Sequence, residues 1–278
     1  MKQDILDVQR ALRDSRRPYA VATVVETEGS VSAKTGSKAV IDESGRVVAG
    51  WVGGGCAESN TSEQALRCLE SGETAVLDID MNDEVLGAGM PCGGSMRVYV
   101  EPVPPAPTLW LVGHGRVAET LSRMAALAGL RVVVNDPQAD AERYPDADRL
   151  ITDDIDYEAL QPTADDYVVI ATQHKGDHDS MRRALAAGAG YIALIASRKR
   201  SNLVLDFLRE QGFGEADLGR VYAPAGLDLG ARTPEEIAVC VLSEIVLRRR
   251  GGTGRPMCAI PGEGKAEKTP RRQTAKKG

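Results

Sequence analysis

Apolar and polar positions follow two different rhythms along this chain, and the rhythm changes near residue 104. Before that point, residues 3–17 set Ile5, Val8 and Leu12 on one face of a charged helix. Residues 19–27 (YAVATVVET) are short, apolar and β-branched, which predicts a strand. Residues 37–42 and 46–52 predict a hairpin around Glu43-Ser44-Gly45. Gly53-Gly54-Gly55-Cys56 breaks the pattern, and residues 57–71 predict a helix that stops at Gly72. Strands are expected near 73–78 and 95–101, flanking a turn-rich stretch from Gly87 to Gly94.

Pro102-Val103-Pro104-Pro105-Ala106-Pro107 reads as an extended, stiff spacer, because its prolines exclude helix. After it, strands and helices alternate. Strands are expected near 108–113, 131–135, 148–152, 167–172, 190–195 and 219–222. Helices are expected near 115–128, 177–187, 201–211 and 234–249. Such alternation implies right-handed crossovers and a parallel sheet. The expected fold class is therefore α/β: a C-terminal Rossmann-like parallel sheet at 104–250, joined to a smaller N-terminal α+β domain at 1–103. Residues 251–278, rich in Gly, Pro, Lys and Arg, are expected to be a disordered basic tail.

Composition narrows the function classes. Of 278 residues, 42% are apolar but only two are Phe and two Trp, so Val, Ala, Leu and Ile must fill the core. A formal net charge of -6 argues against general nucleic-acid affinity. No apolar run approaches a membrane span, and the N-terminus lacks a basic-then-apolar signal pattern, which predicts a cytoplasmic protein. The five cysteines (56, 68, 92, 240, 258) are odd in number and scattered, without zinc-site spacing, and are expected to be free thiols.

The chemistry-bearing motif of the second half is Gly113-His114-Gly115-Arg116-Val117-Ala118. Gly113 permits a tight turn after a strand. Gly115 lets the backbone approach a pyrophosphate at the helix N-terminus. Ala118 allows close helix–sheet packing. Asp136, eighteen residues after Ala118, stands where a ribose-binding acid is expected. His174 and His178 lie just past a predicted strand end, on the ligand-facing edge of the sheet. His174 is a candidate site residue, and His178 reads more simply as a loop or capping residue.

The first half holds two glycine-cysteine knots, Gly53-Gly54-Gly55-Cys56-Ala57-Glu58 and Pro91-Cys92-Gly93-Gly94. Clustered glycines cost backbone entropy and suit places where something must approach the main chain closely. A cysteine beside such a loop, facing helix N-terminal amides, is biased toward thiolate, a soft metal ligand and a carrier of sulfur. The plainer reading is a pair of small thiols in tight turns. Cys68, Cys240 and Cys258 lack this setting and read as structural or tail residues.

These motifs resemble the XdhC/CoxI family. Thr27-Glu28-Gly29-Ser30, the two knots, the Rossmann loop, Asp136-Pro137, Ser197-Arg198-Lys199 and Ala223 through Ala238 occur in the family's order, over nearly all of residues 19–248. The resemblance implies an accessory protein that binds molybdenum cofactor, protects it during sulfuration and delivers it to an apo-hydroxylase such as xanthine dehydrogenase or carbon monoxide dehydrogenase. It implies molybdopterin or its cytosine dinucleotide as ligand, a cysteine desulfurase as further partner, and a homodimer. The implied cofactor-binding residues are Gly53, Gly54, Gly55, Cys56, Glu58, Cys92, Gly93, Gly94, Gly113, His114, Gly115, Arg116, Asp136 and His174, with Cys56 and Cys92 toward molybdenum, in a pocket expected between the domains. The chain departs from the family at Gln138, Arg116 and Ala196, where Arg, His and Gly are common. Two other readings stay open: an NAD(P)-dependent oxidoreductase using the same loop, and a structural subunit with a vestigial Rossmann fold.

Overall fold

The computed structural model describes residues 4–81, 94–172 and 176–260. The chain divides into two compact units that part between Pro107 and Thr108. Among the described residues no helix is long and apolar enough to cross a membrane.

In the first unit, α1 (Ile5–Asp14) begins where the Asp4 side chain accepts a hydrogen bond from Leu6 N. The strands β1 (Tyr19–Gly29), β2 (Lys38–Asp42), β3 (Val47–Gly50), β4 (Ala75–Asp80) and β5 (Gly94–Val103) form one sheet in the order β3-β2-β1-β5-β4. Every pair whose register is defined runs antiparallel. Alternation decides which side chains meet which helix. Ala20, Ala22, Val24, Met96, Val98 and Val100 bury one face against Ala57, Ala65 and Cys68 of α2 (Cys56–Ser71). Tyr19, Val40 and Ala49 take the other face, with Leu12 of α1. The hairpin turn is held by Asp42, whose Oδ1 accepts from Ser44 N at 3.0 Å, Ser44 Oγ at 2.6 Å and Arg46 N at 3.0 Å.

Strand β5 runs to Val103, one residue past Pro102. Its pairing with β4 stops at Val100, so Pro102 lies where β5 has β1 alone beside it and a missing N–H does little harm. The connection between the units is thus residues 104–107, shorter than the spacer read from the prolines.

The second unit contains β6 (Thr108–Val112), α3 (Arg116–Leu127), β7 (Arg131–Asn135), β8 (Arg149–Ile151), β9 (Tyr167–Ile170), α4 (Asp177–Ala186), β10 (Tyr191–Leu194), α5 (Arg198–Glu210), α6 (Glu215–Leu218), β11 (Val221–Tyr222) and α7 (Pro234–Arg250). The sheet order is β11-β10-β9-β6-β7-β8, with parallel pairing at β6/β9, β9/β10, β10/β11 and β7/β8. Strands buried on both faces read as unbroken apolar runs, and all five residues of β6 and all four of β10 are buried. The chain steps outward from β6 to β8, then returns to β9 on the other side of β6, so the switch point lies between β6 and β9. Helix α5 starts three residues earlier than its apolar pattern predicts, because Ser197 caps it by accepting from Arg200 N. The four-residue α6 was not expected; it is too short to show a period. Residues 251–260 include a 3-10 turn at Met257–Ala259, and the rest of the expected basic tail lies outside the described residues.

Candidate functional site

The first knot opens α2. Gly53 has φ 110° and Gly55, the N-cap, has φ 60°, conformations that side chains disfavour. Gly55 provides no side-chain cap, so the first-turn amides of α2 have no partner from the capping position. Cys56 is the first helical residue, half-buried and free, and the half-buried Glu58 lies in the same turn. A Cβ added at Gly54 or Gly55 would meet nothing within 4 Å, so the loop is open on that side.

Three motifs that are far apart in sequence converge here. A Cβ on Gly94 would lie 2.5 Å from Glu28 O and 3.0 Å from Ser30 N, and Gly94 is the register partner of Gly29. A Cβ on Gly53 would lie 3.2 Å from Ala57 Cβ, 3.8 Å from Ser32 Oγ and 3.9 Å from Ala33 Cβ. The segment 28–33 is therefore flanked by the first knot and by the end of the second. Cys92 and Gly93 lie outside the described residues. Among the described residues no group of three or more His, Cys, Asp or Glu is placed to hold a metal ion.

The Rossmann loop leaves β6 at Gly113, which has φ 110°. A Cβ there would lie 2.6 Å from Ala171 C and 2.7 Å from Thr172 N, so the close approach of β6 to the end of β9 requires glycine. Gly115, with φ 104°, is the N-cap of α3, again without a side-chain cap. Ala118 is fully buried, as close helix–sheet packing requires. His114 Nδ1 lies 2.9 Å from Asp136 Oδ2, and Asp136 Oδ1 accepts from Gln138 N at 2.7 Å. The acid expected to hold a ribose thus already has both oxygens engaged. Arg116 reaches Glu235 at the start of α7, with Nη2 at 2.6 Å and Nε at 3.1 Å from Oε1. Glu235 sits below its usual carboxylate range, held first by its own backbone N–H and then by Arg116.

Other groups on this edge escaped the sequence reading. Asp177, almost fully buried at the start of α4, is paired with Arg200 and Thr172 Oγ1, while Arg200 Nη2 donates to Thr172 O at 2.8 Å. The run Ser197-Arg198-Lys199-Arg200 was the available signal, but the residue that pairs is its last. Tyr157 adopts φ 56°, rare for a bulky side chain, and a Cβ on Gly176 would lie 2.1 Å from its hydroxyl. Burial, and then the Asp136 and Asp177 carboxylates, push the Tyr157 phenol up. His174 lies outside the described residues. The His178 ring packs edge-on against Phe207 at 4.6 Å, a packing role.

The long motif from Ala223 to Ala238 anchors α7. Gly226 N donates to Glu244 Oε2 at 3.0 Å, and Tyr191 Oη donates to the same oxygen at 2.7 Å. A Cβ on Gly226 would lie 3.0 Å from Cys240 Cβ, and Thr233 with Glu236 forms a capping box. Cys68 and Cys240 are buried, and Cys258 is exposed.

Comparison with known proteins follows this division. The XdhC and CoxI family model matches residues 12–80, and the XdhC Rossmann domain model matches residues 109–245. "Uncharacterized protein YqeB" of Escherichia coli (strain K12) is 30% identical over 250 residues, covering 87% of this chain and 46% of that protein. A probable xanthine dehydrogenase subunit of Bacillus subtilis (strain 168) is 31% identical over 160 residues, covering 55% of this chain and 46% of that protein. The chain thus spans about half the length of these curated relatives. A crystal structure described as a xanthine dehydrogenase from Bacillus halodurans aligns over 93% of this chain and 98% of that chain, with 21% identity and a TM-score of 0.48. With both of its units matched in order by the family's two domain models, the chain belongs to the XdhC/CoxI family.

Proposed function

We propose that the chain is an accessory protein for a molybdenum hydroxylase of the xanthine dehydrogenase or carbon monoxide dehydrogenase type, binding molybdenum cofactor, guarding it during sulfuration and passing it to the apo-enzyme. The observation that carries this reading is the convergence of three N-terminal motifs on an open glycine loop with Cys56 at its helical end. A dehydrogenase has no use for that arrangement.

Each unit, taken by itself, offers residues suited to one chemical feature of such a ligand. Gly115 leaves the first amides of α3 free of a side-chain cap, which suits a phosphate or pyrophosphate. Gly54 and Gly55 leave space against the backbone, and Cys56 presents a soft donor beside uncapped amides of α2. When bound, the cofactor supplies a dithiolene-held molybdenum centre. The chain's own residues would offer a phosphate-binding helix N-terminus in the second unit and a thiol in an open loop of the first. Glu58 adds a hydrogen-bond acceptor in the same turn. A cysteine desulfurase would supply the sulfur, and the hydroxylase would receive the loaded group.

The test is anaerobic purification with molybdenum and pterin quantified per protein, followed by activation of a partner apo-hydroxylase. Cys56→Ser should lower molybdenum retention or sulfuration while the fold persists, and Cys240→Ser, in the core of the second unit, should not. NAD(P)-dependent turnover of a small substrate without pterin binding would instead establish an oxidoreductase.

A further inference from the structure

Helices α3 and α7 lie side by side and parallel in the second unit. Arg116 bonds to Glu235 where both begin, and Arg249 Nη1 donates to Ala128 O at 3.4 Å where both end. Two positive helix ends therefore stand together on the ligand-facing edge of the sheet. One of them is closed by its own side chains. Glu236 Oε2 accepts from Arg232 N at 2.6 Å and Thr233 N at 3.0 Å, and Thr233 Oγ1 accepts from Glu236 N at 3.2 Å. The other is open, because α3 has Gly115 as its N-cap and no side chain there to accept a hydrogen bond.

Glu235 reaches from the closed end to the open one. Its Oε1 alone takes both contacts, from Arg116 Nη2 at 2.6 Å and from Nε at 3.1 Å. A single carboxylate oxygen thus fills a guanidinium fork that can hold two oxygens. Both side chains meet water, with Arg116 77% and Glu235 45% exposed, so the pair is weak and readily exchanged. A phosphate at the adjoining glycine loop presents two oxygens to the same fork and carries more charge than the carboxylate.

We propose that Glu235 is a release residue for the phosphate-bearing ligand of the glycine loop: it holds the Arg116 guanidinium in the empty chain, yields it to a phosphate, and recovers it as the ligand leaves. This rests on the reading of that loop as a phosphate site. Binding then breaks the Arg116–Glu235 pair and leaves the Glu235 carboxylate near a second anion, and both effects limit the grip. Dissociation restores the pair, so Arg116 has a partner waiting. A chain that hands its ligand on needs such a limit. Glu235 acts through Arg116 and is a positioning residue.

The probe is inorganic pyrophosphate, titrated into the full chain by calorimetry. Glu235→Gln should tighten binding about two- to fivefold, the scale of one exposed ion pair. The gain should appear mainly as slower dissociation. Arg116→Ala should weaken binding, and Glu235→Gln added to it should change little more, because nothing is left to compete for. Circular dichroism reports on folding. If Glu235→Gln does not fold, Glu235→Asp, which keeps the charge but shortens the reach, replaces it and should also tighten binding. Unchanged or weaker binding in the variant overturns the proposal. So does a gain that persists in full without Arg116, or a wild-type chain that binds no pyrophosphate. Pterin and molybdenum content, measured separately, test the cofactor reading. Pterin retained without an effect of Glu235 removes the release role alone, and an Arg116-dependent gain in a chain without pterin removes the cofactor reading alone.

Discussion

His114 and Asp136 are joined by a 2.9 Å hydrogen bond that ties the glycine loop after β6 to the end of β7. With Gln138 N on its other oxygen, Asp136 holds the imidazole in place. Its carboxylate fixes which ring nitrogen carries a proton, and His114 becomes the loop's adjustable polar group beside the N-terminus of α3.

His114→Ala should weaken binding of a phosphate-bearing pterin by roughly tenfold, through loss of a charge-assisted partner and exposure of an unpaired carboxylate to the anion. His114→Gln, which keeps a donor, should lose less. Anaerobic binding titrations check this. Equal affinities for all three proteins would place the phosphate elsewhere.

Gly54→Ala separates fold from function. Its Cβ meets nothing within 4 Å, and its φ is outside the left-handed region, so thermal stability should change by less than about 1 kcal/mol. Cofactor retention should fall, since the methyl occupies the open side of the loop. Gly113→Ala, which drives a Cβ into the Ala171–Thr172 backbone at φ 110°, should cost about 1–3 kcal/mol whether or not ligand is present. Comparing melting with molybdenum content distinguishes the two cases.

Arg200→Ala should destabilise the second unit by about 3–5 kcal/mol, because Asp177, with 3% of its side chain exposed, would be left as an uncompensated buried charge. Removing the charge as well, in Arg200→Ala with Asp177→Asn, should recover part of that loss. Chemical denaturation of the single and double variants gives the coupling, and simple additivity would show that the pair acts separately.

Asp42 makes the first unit acid-sensitive. Burial pushes its carboxyl up, but the Ser44 hydroxyl and the backbone N–H groups of Arg46 and Ser44 outweigh this and hold it below its usual range. An unfolded-state carboxyl near about 3.9 then binds protons more readily than the folded one. The stabilisation is complete above that value and is lost as pH falls through the lower folded value. Asp42→Asn should cost about 1–3 kcal/mol at pH 7. The gap to wild type should shrink as pH drops below about 4. Denaturation midpoints at several pH values read this directly, and a gap that stays constant would mean that the charge is irrelevant.

The alternating second half was legible because its strands are buried on both faces. Runs such as Leu109-Trp110-Leu111-Val112 and Tyr191-Ile192-Ala193-Leu194 leave little choice of element, and Gly113, Gly115 and Ala118 take the places their side chains predict. The convergence at residues 28–33 was not legible. It depends on Gly29 pairing with Gly94 across β1 and β5, a register that no local pattern specifies. The engagement of Asp136 by His114, and of Arg116 by Glu235, was hidden for the same reason, since each joins positions remote in sequence. Tyr157 carried no signal at all, because a positive φ at a tyrosine has no compositional mark.

Tyr19 and Val103 are register partners, so the strand that opens the first sheet lies beside the strand that ends it. The start of β1 and the finish of β5 lie at the same end of the sheet, and every strand of that sheet among the described residues has been made once residue 103 leaves the ribosome. The sheet can close while the Rossmann half is still being synthesised, which shortens the time for which its long-range strand edges are open to wrong partners. A module bounded in this way can also be joined to a different neighbour without rethreading its sheet.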